Sequence, residues 1–224
     1  MVTASKADRL ITQELAQELS KVVSGEVRFD EFSRTLYSTD ASIYQMMPVG
    51  VVVPRTQDDV EAVIKLAHRE NVPVLPRGAG TSLSGQTVNH AIVIDFSKYM
   101  NRLIDVNLEE RWAKVEPGIV LSTLNQQVGK HQIHFTPDPS TANRATVGGA
   151  IGNNSCGTHS VLFGKTIDQV IEIDTILSDG STLAMSPLNA KQLDAKLSKS
   201  GLTSKIHEET LRLANDNRIE IEGR

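Results

Sequence analysis

Two stretches of small and polar residues carry the chemistry legible in this sequence. The first, Pro76-Arg77-Gly78-Ala79-Gly80-Thr81-Ser82-Leu83-Ser84-Gly85, follows an apolar run that reads as a strand. With so little bulk, successive main-chain amides can turn toward one point, as a multiply charged oxyanion requires in place of water, and the hydroxyls of Thr81, Ser82 and Ser84 add donors. No Gly-Lys-Ser/Thr triplet closes the loop, so it lacks the lysine of a transferable-phosphate site, and Leu83 stands where the dinucleotide fingerprint needs its third glycine. The second stretch runs from Thr136-Pro137-Asp138-Pro139-Ser140, through Thr146-Val147-Gly148-Gly149-Ala150-Ile151-Gly152-Asn153-Asn154-Ser155-Cys156-Gly157-Thr158-His159-Ser160, to Gly164. So many small residues cannot pack a core alone, and buried amides left unpaired are costly. The expectation is a large polar ligand threaded through the protein, and two such loops suit a dinucleotide better than a single phosphate. For the first loop taken alone, plain connection stays open.

Other candidate groups carry less. Cys156 and His159 have the types of a thiolate and its base, but a small residue beside a ligand explains the cysteine as well. Two ligands are too few for a structural zinc site, so neither a catalytic residue nor a metal site is expected. His131 and His134 alternate as on a solvated strand face. Asp58, Asp59 and Glu61 fall in the first turn of a helix, where carboxylates favour the dipole. Arg77 has two readings: it balances a diphosphate, or it braces its loop through a carboxylate or a backbone carbonyl.

The elements that must position these residues follow from periodicity. Ile11, Leu15, Leu19 and Val22 are spaced as on a helix, with Gly25 as its stop. Val49 to Pro54 is β-branched and apolar on both faces, as in a strand buried on both sides. Thr56, three residues before Asp59, opens a helix whose buried stripe is Val60, Val63, Ile64 and Ala67. Val72 to Pro76 resumes as a strand, and this crossover is long enough for a parallel pair. Further strands are expected at Ala91 to Phe96 and Trp112 to Glu116, with a short helix over Val120 to Val128. Ile171, Ile173, Thr175 and Leu177 alternate with Glu172 and Asp174 before an Asp179-Gly180 hairpin turn. Ser186-Pro187 is a cap and first-turn pair for a helical tail containing Leu193, Leu197, Ile206 and Leu211. The fold class expected is α+β. It has a helical lead-in over 1–47, a small parallel strand-helix subdomain over 48–105, and a mostly antiparallel subdomain with flanking helices over 106–224.

Composition bounds the rest. The chain has 224 residues, 39% of them hydrophobic, which suffices for a core. Its 23 basic and 27 acidic residues are interspersed and give a net charge of −4, so no cationic stripe is present for nucleic acid. A single cysteine cannot form an internal disulfide and fits a reducing compartment. No signal-peptide core opens the sequence and no run approaches the roughly 18 apolar residues of a membrane helix, so a cytoplasmic location is expected. Ile221-Glu222-Gly223-Arg224 matches a protease site used for tag removal, or is the end of a charged helix; both readings remain.

The order of Pro-Arg-Gly-Ala-Gly-Thr after a strand, then Pro-Asp-Pro-Ser, then Gly-Gly and Asn-Asn-Ser-Cys-Gly-Thr-His-Ser, resembles the FAD-binding domain of the vanillyl-alcohol oxidase superfamily. Its nearest members are the glycolate, D-lactate and D-2-hydroxyglutarate dehydrogenases, including large forms with iron–sulfur modules. The resemblance runs from about Tyr37 to Leu183 and implies FAD held between two subdomains. It implies that Pro76, Arg77, Gly78, Ala79, Gly80, Thr81, Ser82, Ser84 and Gly85 wrap the diphosphate. Pro137, Asp138, Pro139, Ser140, Thr146, Gly148, Gly149, Asn153, Asn154 and Gly157 would line the ribityl chain and flavin, and Gly164, Ile171 and Ile173 the adenine side. Relatives that tether FAD covalently through the first loop carry a histidine where Thr81 stands, so noncovalent FAD is implied. The family's substrate domain would follow this chain. The implied reaction oxidises a D-2-hydroxyacid to a 2-oxoacid, with electrons passing to an iron–sulfur module or another carrier. The rival readings are a noncatalytic nucleotide-binding module and an NADPH-dependent flavin reductase of the cell-wall precursor type.

Overall fold

The computed structural model describes residues 6–223, with side chains from residue 12 onward. The chain divides into two compact units, Met1–Val170 and Ile171–Arg224.

In the larger unit, helix α1 (Lys6–Val22) buries Leu15 and Leu19 at the expected spacing, but Val22 is exposed and Val23 is buried in its stead, and the Ile11 side chain lies outside the described residues. After it, Gly25 lies so close to the Val53 carbonyl that an added Cβ would strike that oxygen. Strand β1 (Glu26–Arg28) and helix α2 (Glu31–Leu36) follow, the helix capped by Asp30, whose carboxylate accepts from Ser33 N at 2.8 Å. Periodicity alone did not predict either element, because both are too short to show a period. Strand β2 (Gly50–Val53) is buried at every position, as its β-branched run requires.

Helix α3 (Gln57–Arg69) begins at Thr56, whose hydroxyl accepts from Asp59 N at 3.2 Å, and it buries Val60, Val63, Ile64 and Ala67. Asp59 is a buried pin rather than part of an acidic face. Its carboxylate accepts from Ser24 N at 2.7 Å, Ser24 Oγ at 2.9 Å and Arg55 N at 2.8 Å. Burial alone would raise its pKa, but these bonds prevail and hold it below the usual carboxylate range. Strands β3 (Val74–Arg77) and β4 (Ile92–Asp95) complete a four-stranded sheet in the order β1-β2-β4-β3. Strand β4 is parallel to both β2 and β3, while β1 pairs antiparallel to β2.

The rest of this unit packs on a second core of Ile119, Leu121, Leu124, Val128, Ala145, Val147 and Ala150. An antiparallel pair, β5 (Leu103–Asn107) and β6 (Trp112–Val115), precedes helix α4 (Leu121–Val128). A 3-10 turn over Gly129–His131 then ends at Gln132 in the left-handed region, φ 59°. His131 and His134 are therefore exposed residues of a turn and an irregular segment, and the expected strand face is absent there. Helix α5 (Val147–Asn153) and short helix α6 (Ser160–Phe163) follow.

In the smaller unit, β7 (Ile173–Ile176) and β8 (Thr182–Met185) form the expected hairpin around Asp179-Gly180. Helix α7 (Ala190–Leu197) starts later than Ser186-Pro187 predicts. Asn189 Oδ1 accepts from Gln192 N and Gln192 Oε1 from Asn189 N, both at 2.9 Å, and this reciprocal capping box fixes the start. Helices α8 (Leu202–Asp216) and α9 (Arg218–Glu222) end the described chain. The architecture is thus mixed α+β, with the parallel pairs confined to the first sheet, where β1 adds an antiparallel edge, and antiparallel pairs in the two hairpins that follow.

Candidate functional site

Strand β3 delivers Pro76 and Arg77 to the sheet edge, where the chain leaves as an irregular loop over Gly78–Gly85. Gly80 and Gly85 adopt φ of +67° and +77°, a region that favours glycine, so the loop turns twice without side-chain strain. Among the described residues, the amides of Gly78, Ala79, Gly80, Thr81, Ser82 and Leu83 donate to no protein acceptor. What pairing exists lies later in the loop: the Gln86 carboxamide oxygen accepts from the Ser82 hydroxyl and from Ser84 N, the latter at 3.2 Å.

Arg77 braces the loop. Its guanidinium donates to the carbonyls of Tyr37 at 3.2 Å, Thr39 at 2.8 Å and Thr87 at 3.0 Å, and it lies over the Tyr37 ring. Burial draws its pKa below the ordinary arginine value, against the pull of Asp95, Tyr37 and Asp40. Of the two sequence readings for Arg77, these bonds match the bracing one.

The second stretch differs from expectation. Val147–Asn153 is a helix, and the amides of Val147, Gly148, Gly149 and Ala150, thought to need a ligand, are paired within the protein. Thr146 caps the helix by accepting from Gly149 N at 3.3 Å, Val147 N donates to Ile119 O at 2.9 Å, and Gly148 N donates to Pro117 O at 2.8 Å. The small residues here allow close approach, since a Cβ on Gly148 would come within 2.9 Å of Pro117 Cβ. The same holds where the two stretches meet: a Cβ on Gly78 would strike Thr146 Oγ1, so the first loop and the start of α5 adjoin.

Beyond α5, Asn153 closes the helix and Asn154 is left-handed at φ 46°, its Oδ1 accepting from Ile167 N at 3.0 Å. Asp138, in the segment of Pro137, Pro139 and Ser140, accepts from His159 N at 3.0 Å and faces His159 Nδ1 at 2.6 Å. The hydrogen bond from the His159 main chain, and then that from its ring, hold Asp138 below the usual carboxylate range. Gly157 abuts the same residue, with no room for a Cβ against the Asp138 carbonyl. His159 is thus engaged by Asp138, and Cys156 is an exposed free thiol. Gly164 is left-handed at φ 82° beside Asp168. Ile171, which is exposed, and Ile173, which opens β7, belong to the smaller unit.

Sequence reasoning missed the residues that frame the first loop: Tyr37, Thr39, Asp40, Ala41, Gln86 and Thr87. It also missed Thr136 Oγ1, immediately before Pro137, which like Thr175 Oγ1 in the smaller unit is a buried hydroxyl oxygen without a hydrogen-bond partner among the described residues. The available signal was the Asp40-Ala41-Ser42 turn, in which Ser42 N donates to Asp40 Oδ1 at 2.8 Å.

These features fit an extended diphosphate-containing ligand: a run of free amides on a glycine loop, the start of α5 against it, and an unpartnered buried hydroxyl. The comparisons agree. An FAD binding domain family matches residues 48–186. D-2-hydroxyglutarate dehydrogenase of Pseudomonas putida is 37% identical over 82% of this chain and 18% of its own length. The Escherichia coli K12 protein of the same name is 40% identical over 85% of this chain and 19% of its own. Glycolate oxidase subunit GlcD of Bacillus subtilis is 33% identical over 82% of this chain and 40% of its own. The chain therefore spans less than a fifth of those two dehydrogenases. Among solved structures, alkyldihydroxyacetonephosphate synthase superposes with a TM-score of 0.71 at 24% identity, over 80% of this chain and 36% of that one. p-Cresol methylhydroxylase superposes with 0.69 at 15%, over 81% and 36%. The fold is thus that of the p-cresol methylhydroxylase-type flavoproteins, and the chain belongs to the FAD-binding domain family, homologous to D-2-hydroxyglutarate dehydrogenases and glycolate oxidase subunits.

Proposed function

We propose that this chain binds FAD noncovalently within a cytoplasmic dehydrogenase that oxidises a D-2-hydroxyacid to the 2-oxoacid. One observation carries the cofactor reading: among the described residues the amides of Gly78 to Leu83 donate to no protein acceptor, and Gly78, at the head of this run, lies against Thr146 at the start of α5. A diphosphate would take these donors in place of water. Thr136 Oγ1, with Pro137–Ser140 and the turn at Asn154–Gly157, would face the ribityl and flavin portions. Thr81 offers a hydroxyl and no imidazole, which supports noncovalent attachment. When bound, FAD supplies the redox chemistry by accepting the hydride of the carbinol carbon, and the protein supplies binding, orientation and electrostatics. The hydroxyacid substrate is inferred from the relatives' names and a separate substrate domain from their lengths, and transfer of electrons to an iron–sulfur module or another carrier from the family resemblance.

Reconstitution tests this. Protein incubated with FAD and desalted should keep an absorption band near ~450 nm, and acid precipitation should release the flavin into the supernatant. A colourless desalted protein overturns the cofactor reading, and flavin remaining in the pellet overturns noncovalent attachment. In the whole protein, anaerobic D-2-hydroxyglutarate, D-lactate or glycolate should bleach the band. A band unchanged by all three leaves a noncatalytic nucleotide-binding module.

A further inference from the structure

Residues 37–47 precede the stretch matched by the FAD-binding family, yet they supply much of what shapes the Gly78–Gly85 loop. Tyr37 anchors them, its hydroxyl donating to Asp95 Oδ2 at 2.5 Å at the end of β4. The carbonyls of Tyr37 and Thr39 take the Arg77 guanidinium at the loop's entry. Ala41 N donates to Gly80 O at 3.0 Å in its middle, and the Tyr44 ring packs on Gly85, 2.7 Å from where a Cβ would stand.

Asp40 fixes the exit. Its Oδ1 accepts from Ser42 N at 2.8 Å, which shapes the strap itself. Its Oδ2 accepts from Thr87 N at 3.3 Å and Thr87 Oγ1 at 3.0 Å. Thr87 returns its carbonyl to Arg77 at 3.0 Å, so strap, loop entry and loop exit form one hydrogen-bonded ring. A loop this poor in side chains, left alone, would sample many conformations, and ordering it on binding would subtract from affinity.

We infer that residues 37–44 form a strap that presets the Gly78–Leu83 amides for a diphosphate, with Asp40 as its positioning residue, acting through Thr87 without touching the ligand. The inference rests on the FAD-binding reading. Asp40→Asn is the test, because an amide nitrogen at the Oδ2 position cannot accept from Thr87 N and forces the Thr87 hydroxyl to turn from donor to acceptor. Titration of FAD, ADP and riboflavin should show FAD and ADP binding about tenfold more weakly in the variant, with riboflavin, which has no diphosphate, unchanged. The far-UV circular dichroism of the ligand-free protein should match the unsubstituted chain. Thr87→Val removes only the hydroxyl bond and should weaken FAD binding by a smaller factor. The double variant should bind no worse than Asp40→Asn alone, since both act through one contact.

Unsubstituted FAD affinity in Asp40→Asn, an equal loss for riboflavin, or additive losses in the double variant would each overturn the inference. Should Asp40→Asn fail to fold, Thr87→Val decides by the same ligand comparison. Failure of the unsubstituted chain to bind FAD is a separate outcome that overturns the cofactor reading and this inference together.

Discussion

The Gly78–Gly85 loop and the Val147–Gly157 stretch are alike in composition and opposite in construction. In the first, a run of amides is left without protein acceptors and the loop is held by groups outside it. In the second, the amides of Val147 to Ala150 are paired with the cap of the helix or with the carbonyls of Ile119 and Pro117, and Gly148 and Gly157 serve close packing. A glycine-rich stretch therefore marks either donors offered to a ligand or backbones brought together. Where the hydrogen bonds go decides between the two.

The largest effect should come from the packed stretch. In Gly157→Ala the new Cβ would meet the Asp138 main-chain carbonyl, which cannot rotate away as a side chain could. We expect a loss of about 1–3 kcal/mol in urea unfolding, the range for overpacking. Stability equal to the unsubstituted chain would show that this junction is loose and would weaken the contrast. Gly80→Ala strikes the open loop instead. Its φ of +67° disfavours a Cβ by about 1–2 kcal/mol, and that Cβ would lie 2.5 Å from Arg77 Nη2, the nitrogen bonded to Thr39. The outcome that sharpens the comparison is a loss of FAD affinity out of proportion to the drop in melting temperature. A stability loss with unaltered affinity would mean that the loop's shape does not govern binding.

Thr146 lies where the two stretches touch, so its substitution separates their roles. Thr146→Ala removes the cap of α5 and should cost about 1 kcal/mol, whereas Thr146→Ser keeps an oxygen for Gly149 N and should restore most of it. Thermal melts of both variants check this. If Thr146→Ala lowered FAD affinity by more than its stability cost explains, the start of α5 would be a ligand contact as well as a packing one.

Much of the sheet was legible because its residues have no alternative use. Val51, Val52 and Val53, with Ile92, Val93 and Ile94, are β-branched and buried at every position, and only a sheet covered on both faces accepts such runs. Helix α3 was equally plain, since cap, dipole and stripe agree at Thr56, Asp59 and Val60. Helix α5 was not, because three of the seven residues of Val147-Gly148-Gly149-Ala150-Ile151-Gly152-Asn153 are glycine, the poorest helix former after proline. Its signal was local, with Thr146 three residues before Gly149 and Val147, Ala150 and Ile151 spaced on one face. Of the candidate site, the first loop could be found from composition. Its frame could not: Asp40 to Thr87 and Tyr37 to Asp95 are long-range contacts between residues whose types are ordinary on any surface.

The smallest expected effect is a difference in acid response. Asp40 and Asp138 pin the two regions. For Asp40, burial alone would raise the pKa, but hydrogen bonds from Ser42 and Thr87 outweigh it; for Asp138, the bonds from His159 lead. Both carboxylates lie below their ordinary value of 3.8 in the folded chain. A group depressed in this way contributes fully above its unfolded value and loses that contribution as pH falls through the folded one, so both pins should hold at neutral pH and release only in acid. Carboxyl-carbon NMR titration should give midpoints below 3.8 for both residues. FAD retention should fall with the Asp40 midpoint, and Asp138→Asn should lower it less than Asp40→Asn does, because Asp40 holds the loop whose amides are free for a ligand. Retention that followed the Asp138 midpoint instead would place the decisive contacts in the second stretch and reverse the assignment of roles.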